Sequence, residues 1–141
     1  MTPLQRFIFY GLFGCFVEIC WTACCNFLLM PEKKKGNTWN LTGKTYVWMF
    51  PIYSFGLYYI FETLYIFLIE QPYYWRALIY SSSCLLVEYM TGLVLYLTIG
   101  ACPWDYSESK YSFHGFIRWD YAPAWAIGGL MLEHVFYFLL S

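Results

Sequence analysis

Four long apolar stretches of 18 to 24 residues alternate with short polar segments along the 141-residue chain. They cover residues 7–30, 46–69, 77–99 and 123–140. About 20 residues of α-helix cross the hydrocarbon core of a bilayer, and lipid cannot satisfy exposed backbone groups, so helices are favoured over strands. The pattern therefore predicts an all-α integral membrane protein, a four-span transmembrane helix bundle that forms a single domain over residues 1–141.

The composition agrees with a membrane protein and argues against several other classes. Hydrophobic residues make up 60% of the chain, charged residues 12% and aromatic residues 25%, whereas soluble domains average about 45–50% apolar and about 25% charged residues. A chain this short could not bury so much apolar surface in water. Such hydrophobicity also excludes disorder, and a net charge of −1 offers no basic surface for nucleic acid. We therefore expect the lipid bilayer as a partner and no nucleic acid.

Each apolar stretch carries one glutamate near its middle. These residues are Glu18, Glu62, Glu88 and Glu133. One charge at the bilayer centre costs about 2.5–3.5 kcal/mol on insertion scales, so intramembrane acids are usually functional. Three of the four lie on helix faces rich in small or polar residues, which pack against other helices. We predict that all four converge at the midplane and bind a proton or a cation. The alternative is that protonated glutamates hydrogen-bond one helix to another.

The segment between the third and fourth stretches, residues 100–122, is rich in aromatic residues, and the tripeptide Trp-Asp-Tyr occurs in it twice. Tryptophan and tyrosine concentrate where a membrane meets water. The segment is therefore predicted to be an aromatic interfacial loop. The alternative is a lid over the bundle, whose candidate residues are Trp104, Asp105, Tyr106, Ser107 and His114.

The chain contains six cysteines but shows no pattern for a cofactor or for a catalytic site. Five of these cysteines fall at predicted membrane depth, where they behave as small apolar residues instead of a disulfide framework. No phosphate-binding glycine loop, Ser-His-Asp set or His-x-x-x-His pair is present. We predict a protein that is not an enzyme and has no cofactor, with bound lipid expected, and we leave a metal site open.

Short motifs along almost the whole chain match known sequences. The most specific is Ala-Cys-Pro-Trp-Asp-Tyr-Ser at residues 101–107. The other matching positions are Tyr10-Gly11, Glu18, Pro51-Ile52-Tyr53, Glu62, residues 87–92, Gly115-Phe116-Ile117 and Glu133. With these motifs the chain resembles the transmembrane protein 229 family of eukaryotes and, more distantly, the bacterial ABC-transporter type IV, or CmpB-like, family. The bacterial family's label implies a permease-like role, and without a nucleotide-binding motif this chain would not be the motor of such a system.

Three functional hypotheses follow. The first is a transporter-like or permease-like protein in which the four glutamates handle a proton or a cation, since transporter sites lie near the midplane. The second is a non-catalytic subunit of a larger membrane complex. The third is a membrane-embedded enzyme that acts on a lipid or an isoprenoid, with carboxylates as acid and base. Four helices enclose little space, so we expect a homo-oligomer or a larger complex, in the endomembrane system, the plasma membrane or the mitochondrial inner membrane.

Overall fold

The computed structural model describes residues 1–29 and 41–141, and these residues are mostly helical. They form two compact units, Thr2–Tyr58 and Tyr59–Ser141, with Met1 assigned to the second. The elements in chain order are α1 (Pro3–Leu29), α2 (Met49–Phe55), a π-helical segment (Gly56–Phe61), α3 (Glu62–Leu68), α4 (Tyr73–Ile99), β1 (Ser112–Phe113), β2 (Ile117–Arg118), a 3₁₀ turn (Trp119–Tyr121) and α5 (Ala122–Leu140).

Three helices in the described part of the chain are long and apolar enough to cross a membrane, Pro3–Phe27, Tyr73–Ile99 and Trp119–Leu140. The predicted second span is helical from Met49 to Leu68 but is divided by the π-helical segment. The all-α membrane class therefore holds, while the four-span count and the single domain stay predictions. Helices α1 and α4 each begin four residues before the predicted start. The reason is that Arg6 and Arg76 interrupt the apolar run without interrupting the helix.

In the first unit, α1 packs closely against α2. A Cβ atom at Gly11 would collide with Ser54 and Phe50, and one at Gly14 would collide with Tyr53. Glycine has no side chain, so the two backbones can approach each other, as small residues allow in membrane helix pairs.

An irregular segment, residues 41–46, lies along the second half of α1. The Asn26 side-chain amide donates a hydrogen bond to the carbonyl of Thr42 at 3.1 Å. The backbone N–H of Lys44 donates to the hydroxyl of Thr22 at 2.9 Å. These contacts supply hydrogen bonds to backbone groups that have no partner in a helix or a sheet. They also bring Thr45 next to Glu18.

In the second unit, α4 and α5 form an antiparallel hairpin. The Ser81 hydroxyl donates to the carbonyl of Ala122 at 2.8 Å near the start of α5. About two turns further into α5, a Cβ atom at Gly129 would lie 2.5 Å from the Cβ of Tyr80. Tyr80 has no exposed surface. These two contacts set the register of the hairpin.

Helix α3 completes the core of the second unit through aromatic side chains. The ring of Phe136 meets Tyr65 at 6.0 Å and Phe61 at 6.3 Å, both edge to face. Phe61 also stacks on Tyr80 at 5.4 Å between ring centroids. The outer faces are apolar and exposed, for example at Phe67 and Phe138, which is the arrangement expected of helices that face lipid.

The aromatic loop contains a small hairpin that the sequence analysis did not predict. Strands β1 and β2 pair antiparallel, with Phe113 opposite Ile117. The turn between them places His114 at φ 53° and Gly115 at φ 76°, a left-handed conformation that glycine adopts readily and other residues rarely do. The hairpin packs on α4, where a Cβ atom at Gly92 would lie 3.2 Å from the Cβ of Phe116.

Candidate functional site

A largely buried ion pair lines an open cleft at one end of the second unit. The Nη1 atom of Arg76, in α4, lies 3.4 Å from the Oε2 atom of Glu133, in α5. Their side chains are 18% and 10% exposed. The cleft has a volume of about 250 Å³, and its lining residues are Tyr65, Ile69, Arg76, Glu133, His134 and Tyr137. Because most of both side chains is removed from water, the two charges are screened less than a pair on an exposed surface.

Several polar atoms around the ion pair lack hydrogen-bond partners within the described residues. Nη1 of Arg76 donates to the carbonyl of Ile69 at 3.0 Å, but Nε of Arg76 is buried without a partner among the described residues. The buried Tyr80 hydroxyl lies beside the carboxyl group of Glu133, and neither this hydroxyl nor Oε1 of Glu133 has another described partner. Buried polar groups in native proteins are almost always satisfied. These atoms therefore mark where a proton or a polar ligand would be accommodated.

The sequence pattern identified Glu133 but not its partner. Arg76 falls between two predicted spans, directly before the third apolar stretch. In the structure Arg76 is the fourth residue of α4, and its long side chain reaches Glu133 of α5. The sequence did not reveal this contact, because distance along one span does not show which residue of the next helix lies at the same level.

A repeated pattern in the sequence could have pointed to Arg76 and Tyr80. Helices α1 and α4 each carry an arginine, a tyrosine four residues later, and a Val-Glu pair that begins seven residues after the tyrosine. The first set is Arg6, Tyr10, Val17 and Glu18, and the second is Arg76, Tyr80, Val87 and Glu88. Both helices have 27 residues, and both tyrosines are fully buried. The two halves of the chain are therefore related by internal repetition.

The helical regions that pair with α1 and α4, namely Met49–Leu68 and α5, extend this relation and explain the π-helical segment. Each has a proline, a glycine and a glutamate in the same order, and the first half has one more residue between its glycine and glutamate. The positions are Pro51, Gly56 and Glu62 in the first half and Pro123, Gly128 and Glu133 in the second. The π-helical segment Gly56–Phe61 lies where the extra residue falls. A π-helical turn closes one residue later than an α-helical turn, so it absorbs such an insertion.

Glu88 interacts with the aromatic loop. The hydroxyl of Tyr106 donates to Oε1 of Glu88 at 3.0 Å. Two further contacts hold the loop in place: the indole N–H of Trp104 donates to the carbonyl of Phe116 at 2.9 Å, and the Nδ1 atom of His114 lies 3.0 Å from the Tyr89 hydroxyl. The loop thus covers part of α4, and Tyr106 is its contact with a candidate glutamate.

Asp105 and Ser107 form the turn that presents Tyr106. The backbone N–H of Ser107 donates to Oδ1 of Asp105 at 2.9 Å. Hydrogen bonds from the side chain and the backbone of Ser107 hold the pKa of the Asp105 carboxyl below its usual value. Asp105 is exposed, so these two residues shape the loop and do not themselves reach Glu88 through any described hydrogen bond.

Glu18 has a corresponding environment in the first unit. Its Oε2 atom accepts hydrogen bonds from the hydroxyls of Thr45 at 2.7 Å and Tyr53 at 3.3 Å. For both Glu18 and Glu88, one donor comes from the segment that precedes the next packed helix: Thr45 precedes α2, and Tyr106 precedes α5. Glu62 is the first residue of α3 and is buried, with 8% of its surface exposed.

The structure does not bring Glu88 and Glu133 together. Glu133 contacts Arg76, which precedes Glu88 by 12 residues in α4, or about 18 Å along the helix axis. Among the described residues, no group of three or more His, Cys, Asp or Glu could hold a metal ion. Proton or cation binding by the four glutamates stays a prediction.

We expect that Tyr106→Phe loosens the aromatic loop, because it removes the hydroxyl that bonds Glu88 while it keeps the ring. The free energy of unfolding should fall by about 1 kcal/mol. Amide hydrogen exchange across residues 104–118 should be faster. Tyr111→Phe is the matched control, since Tyr111 is exposed. Equal exchange rates in the two variants would show that the Tyr106–Glu88 bond does not hold the loop.

The three long apolar helices are those of an integral membrane protein, and its second unit contains a polar cleft. The family model described as putative ABC-transporter type IV (CmpB) matches residues 5–141, almost the whole chain, and the protein belongs to this family. The bacterial part of the resemblance noted above is thereby confirmed. No solved structure matches this chain.

Proposed function

We propose that this protein is a transporter-like membrane protein in which the Arg76–Glu133 ion pair is the proton-coupling site. One observation carries the proposal: the pair is buried, yet it lines a cleft of about 250 Å³ that opens outward. Intramembrane ionisable residues that face a cavity are characteristic of proton and substrate pathways. The description of the family as a transporter family supports the same reading.

The chemistry follows from the two charges. A proton that reaches Glu133 converts its carboxylate to a neutral carboxylic acid, which removes most of the attraction to Arg76 and leaves the guanidinium free for another anionic group. Loss of the proton restores the pair. Because an unpaired buried charge is costly, Arg76 exchanges one partner for another and does not stay alone. Protonation and anion binding are thereby linked.

The remaining glutamates extend this proposal. Glu18 and Glu88 occupy equivalent positions in the two repeats, and both accept hydroxyl hydrogen bonds, which are suitable paths for proton transfer. We assign them, together with Glu62, to proton or cation handling in a four-span bundle without a cofactor or a catalytic reaction. We also propose that the protein is related to the transmembrane protein 229 family. An open cleft needs a further surface to enclose a substrate, so we also propose a homo-oligomer or a larger complex.

Proton flux into liposomes tests the function directly. Purified protein is reconstituted with a pH-sensitive dye inside, and flux is recorded under an imposed pH gradient with potassium and valinomycin to balance charge. We expect Glu133→Gln to lower the protein-dependent flux at least about tenfold, because the glutamine side chain does not take up and release a proton as a carboxyl group does. Glu108→Gln changes an exposed carboxyl and should keep the wild-type rate.

Circular dichroism and size-exclusion chromatography establish that Glu133→Gln is folded, and Glu133→Asp, which keeps an ionisable group, should retain part of the flux. If wild-type liposomes conduct protons no faster than empty ones, the proposal is wrong. It is also wrong if folded Glu133→Gln matches the wild type.

A further inference from the structure

We propose that the cleft binds the headgroup of a phospholipid that carries both a phosphate and a primary ammonium group. The inference rests on the proposed function, since it names the substrate class of the same site. The cleft presents both signs of charge within 3.4 Å, on Arg76 and Glu133. While Glu133 is ionised, a purely anionic or purely cationic ligand would be attracted by one of them and repelled by the other, whereas a zwitterionic headgroup matches both.

The donor and acceptor atoms favour one kind of zwitterion. Arginine suits phosphate, because its planar guanidinium offers several N–H donors to the phosphate oxygens. On the other side, Oε1 of Glu133 is a buried acceptor with only the Tyr80 hydroxyl beside it, so the carboxylate can accept further hydrogen bonds. A primary ammonium has three N–H donors, while a quaternary ammonium such as choline has none. The arrangement therefore favours phosphoethanolamine over phosphocholine.

The position of the cleft fits a lipid better than a soluble ligand. Ile69 directly follows α3, Arg76 lies in the first turn of α4, and Tyr137 lies in the last turn of α5. The cleft thus opens at the end of these helices, where headgroups are found, while Glu133, seven residues before the end of α5, lies about 10 Å deeper. Two of its lining residues are tyrosines, which favour the membrane–water boundary. Phe67 and Phe138 near the same helix ends are exposed apolar side chains that acyl chains could cover.

The size of the cleft agrees with a headgroup. Its volume of about 250 Å³ is below the roughly 300–1,000 Å³ of pockets that enclose drug-sized ligands. It can hold a phosphoethanolamine group but not whole acyl chains. A ligand with its polar part in the cleft and its apolar part against the outer helix surface satisfies both features.

Native mass spectrometry of the delipidated protein in detergent tests the proposal with defined phospholipids of identical acyl chains. We expect the phosphatidylethanolamine adduct to exceed the phosphatidylcholine and phosphatidylglycerol adducts about tenfold, the factor that one charge-assisted hydrogen bond can supply. In Glu133→Gln the preference for ethanolamine over choline should fall to about one, because the charged acceptor is gone. Arg76→Gln should weaken both adducts, since each has a phosphate. Lys110→Gln, which lies outside the cleft, should behave as wild type.

Thermal melts in the same detergent establish that each variant is folded. Equal binding of ethanolamine and choline lipids to the wild type would overturn the inference, and so would an undiminished preference in folded Glu133→Gln. Free O-phosphoethanolamine serves as a competitor. Competition as strong as that of short-chain phosphatidylethanolamine would overturn the lipid as the source of the headgroup, and weak competition supports it. Lipid selectivity without proton flux would refute the proposed function alone, and proton flux without selectivity would refute this inference alone.

Discussion

Arg76→Ala is expected to lower the free energy of unfolding by about 3 kcal/mol, because it breaks a largely buried ion pair. The substitution removes the guanidinium 3.4 Å from Glu133 and leaves a buried carboxylate without its counter-charge. It also removes the hydrogen bond from Nη1 to the carbonyl of Ile69. Removing one partner of a buried pair costs more than the pair contributes, because the remaining charge cannot regain its hydration.

A double-mutant cycle measures this effect in mixed detergent micelles, where membrane proteins can be unfolded reversibly by a denaturing detergent. Glu133→Gln in the Arg76→Ala background should restore much of the lost stability, since it removes the unpaired charge. Lys110→Ala changes an exposed cation of the aromatic loop and provides the control. If the double variant were as unstable as Arg76→Ala, the loss would come from side-chain packing and not from the ion pair.

Gly129→Ala should destabilise the second unit by about 1–3 kcal/mol, the usual cost of overpacking a close contact. The added Cβ would lie 2.5 Å from the Cβ of Tyr80, and neither atom is at the flexible end of a side chain. Helices α4 and α5 must therefore separate or shift. A shift would also displace Glu133 relative to Arg76, so the proton flux of this variant should fall as well.

The neighbouring glycine provides a matched control. A Cβ atom at Gly128 would meet no atom within 4 Å, and alanine is a better helix former than glycine by about 1 kcal/mol. Gly128→Ala should therefore be as stable as the wild type or more stable. Both variants are compared by thermal melting in the same detergent. A melting temperature for Gly129→Ala at or above that of Gly128→Ala would show that the contact with Tyr80 does not limit the hairpin.

Much of the fold follows from the order of apolar and polar residues. The apolar stretches predicted helices that match α1, α4 and α5 within four residues, because backbone groups in lipid must be satisfied within the chain. The second stretch was predicted as one helix, and the structure divides it with the π-helical segment. That division reflects the extra residue between Gly56 and Glu62, which became visible only when the two halves were compared.

The sequence by itself determined the membrane class and identified Glu133 as an acidic residue within an apolar span, where a charge is costly in free energy. Only the tertiary structure decided what Glu133 contacts. The Ser81–Ala122 hydrogen bond and the close approach of Gly129 to Tyr80 fix the register of α4 against α5. That register places Arg76 beside Glu133 and leaves Glu88 to the aromatic loop. Position within a span gives depth along one helix, but which residues share a level depends on how two helices pack, and that is a property of the folded hairpin.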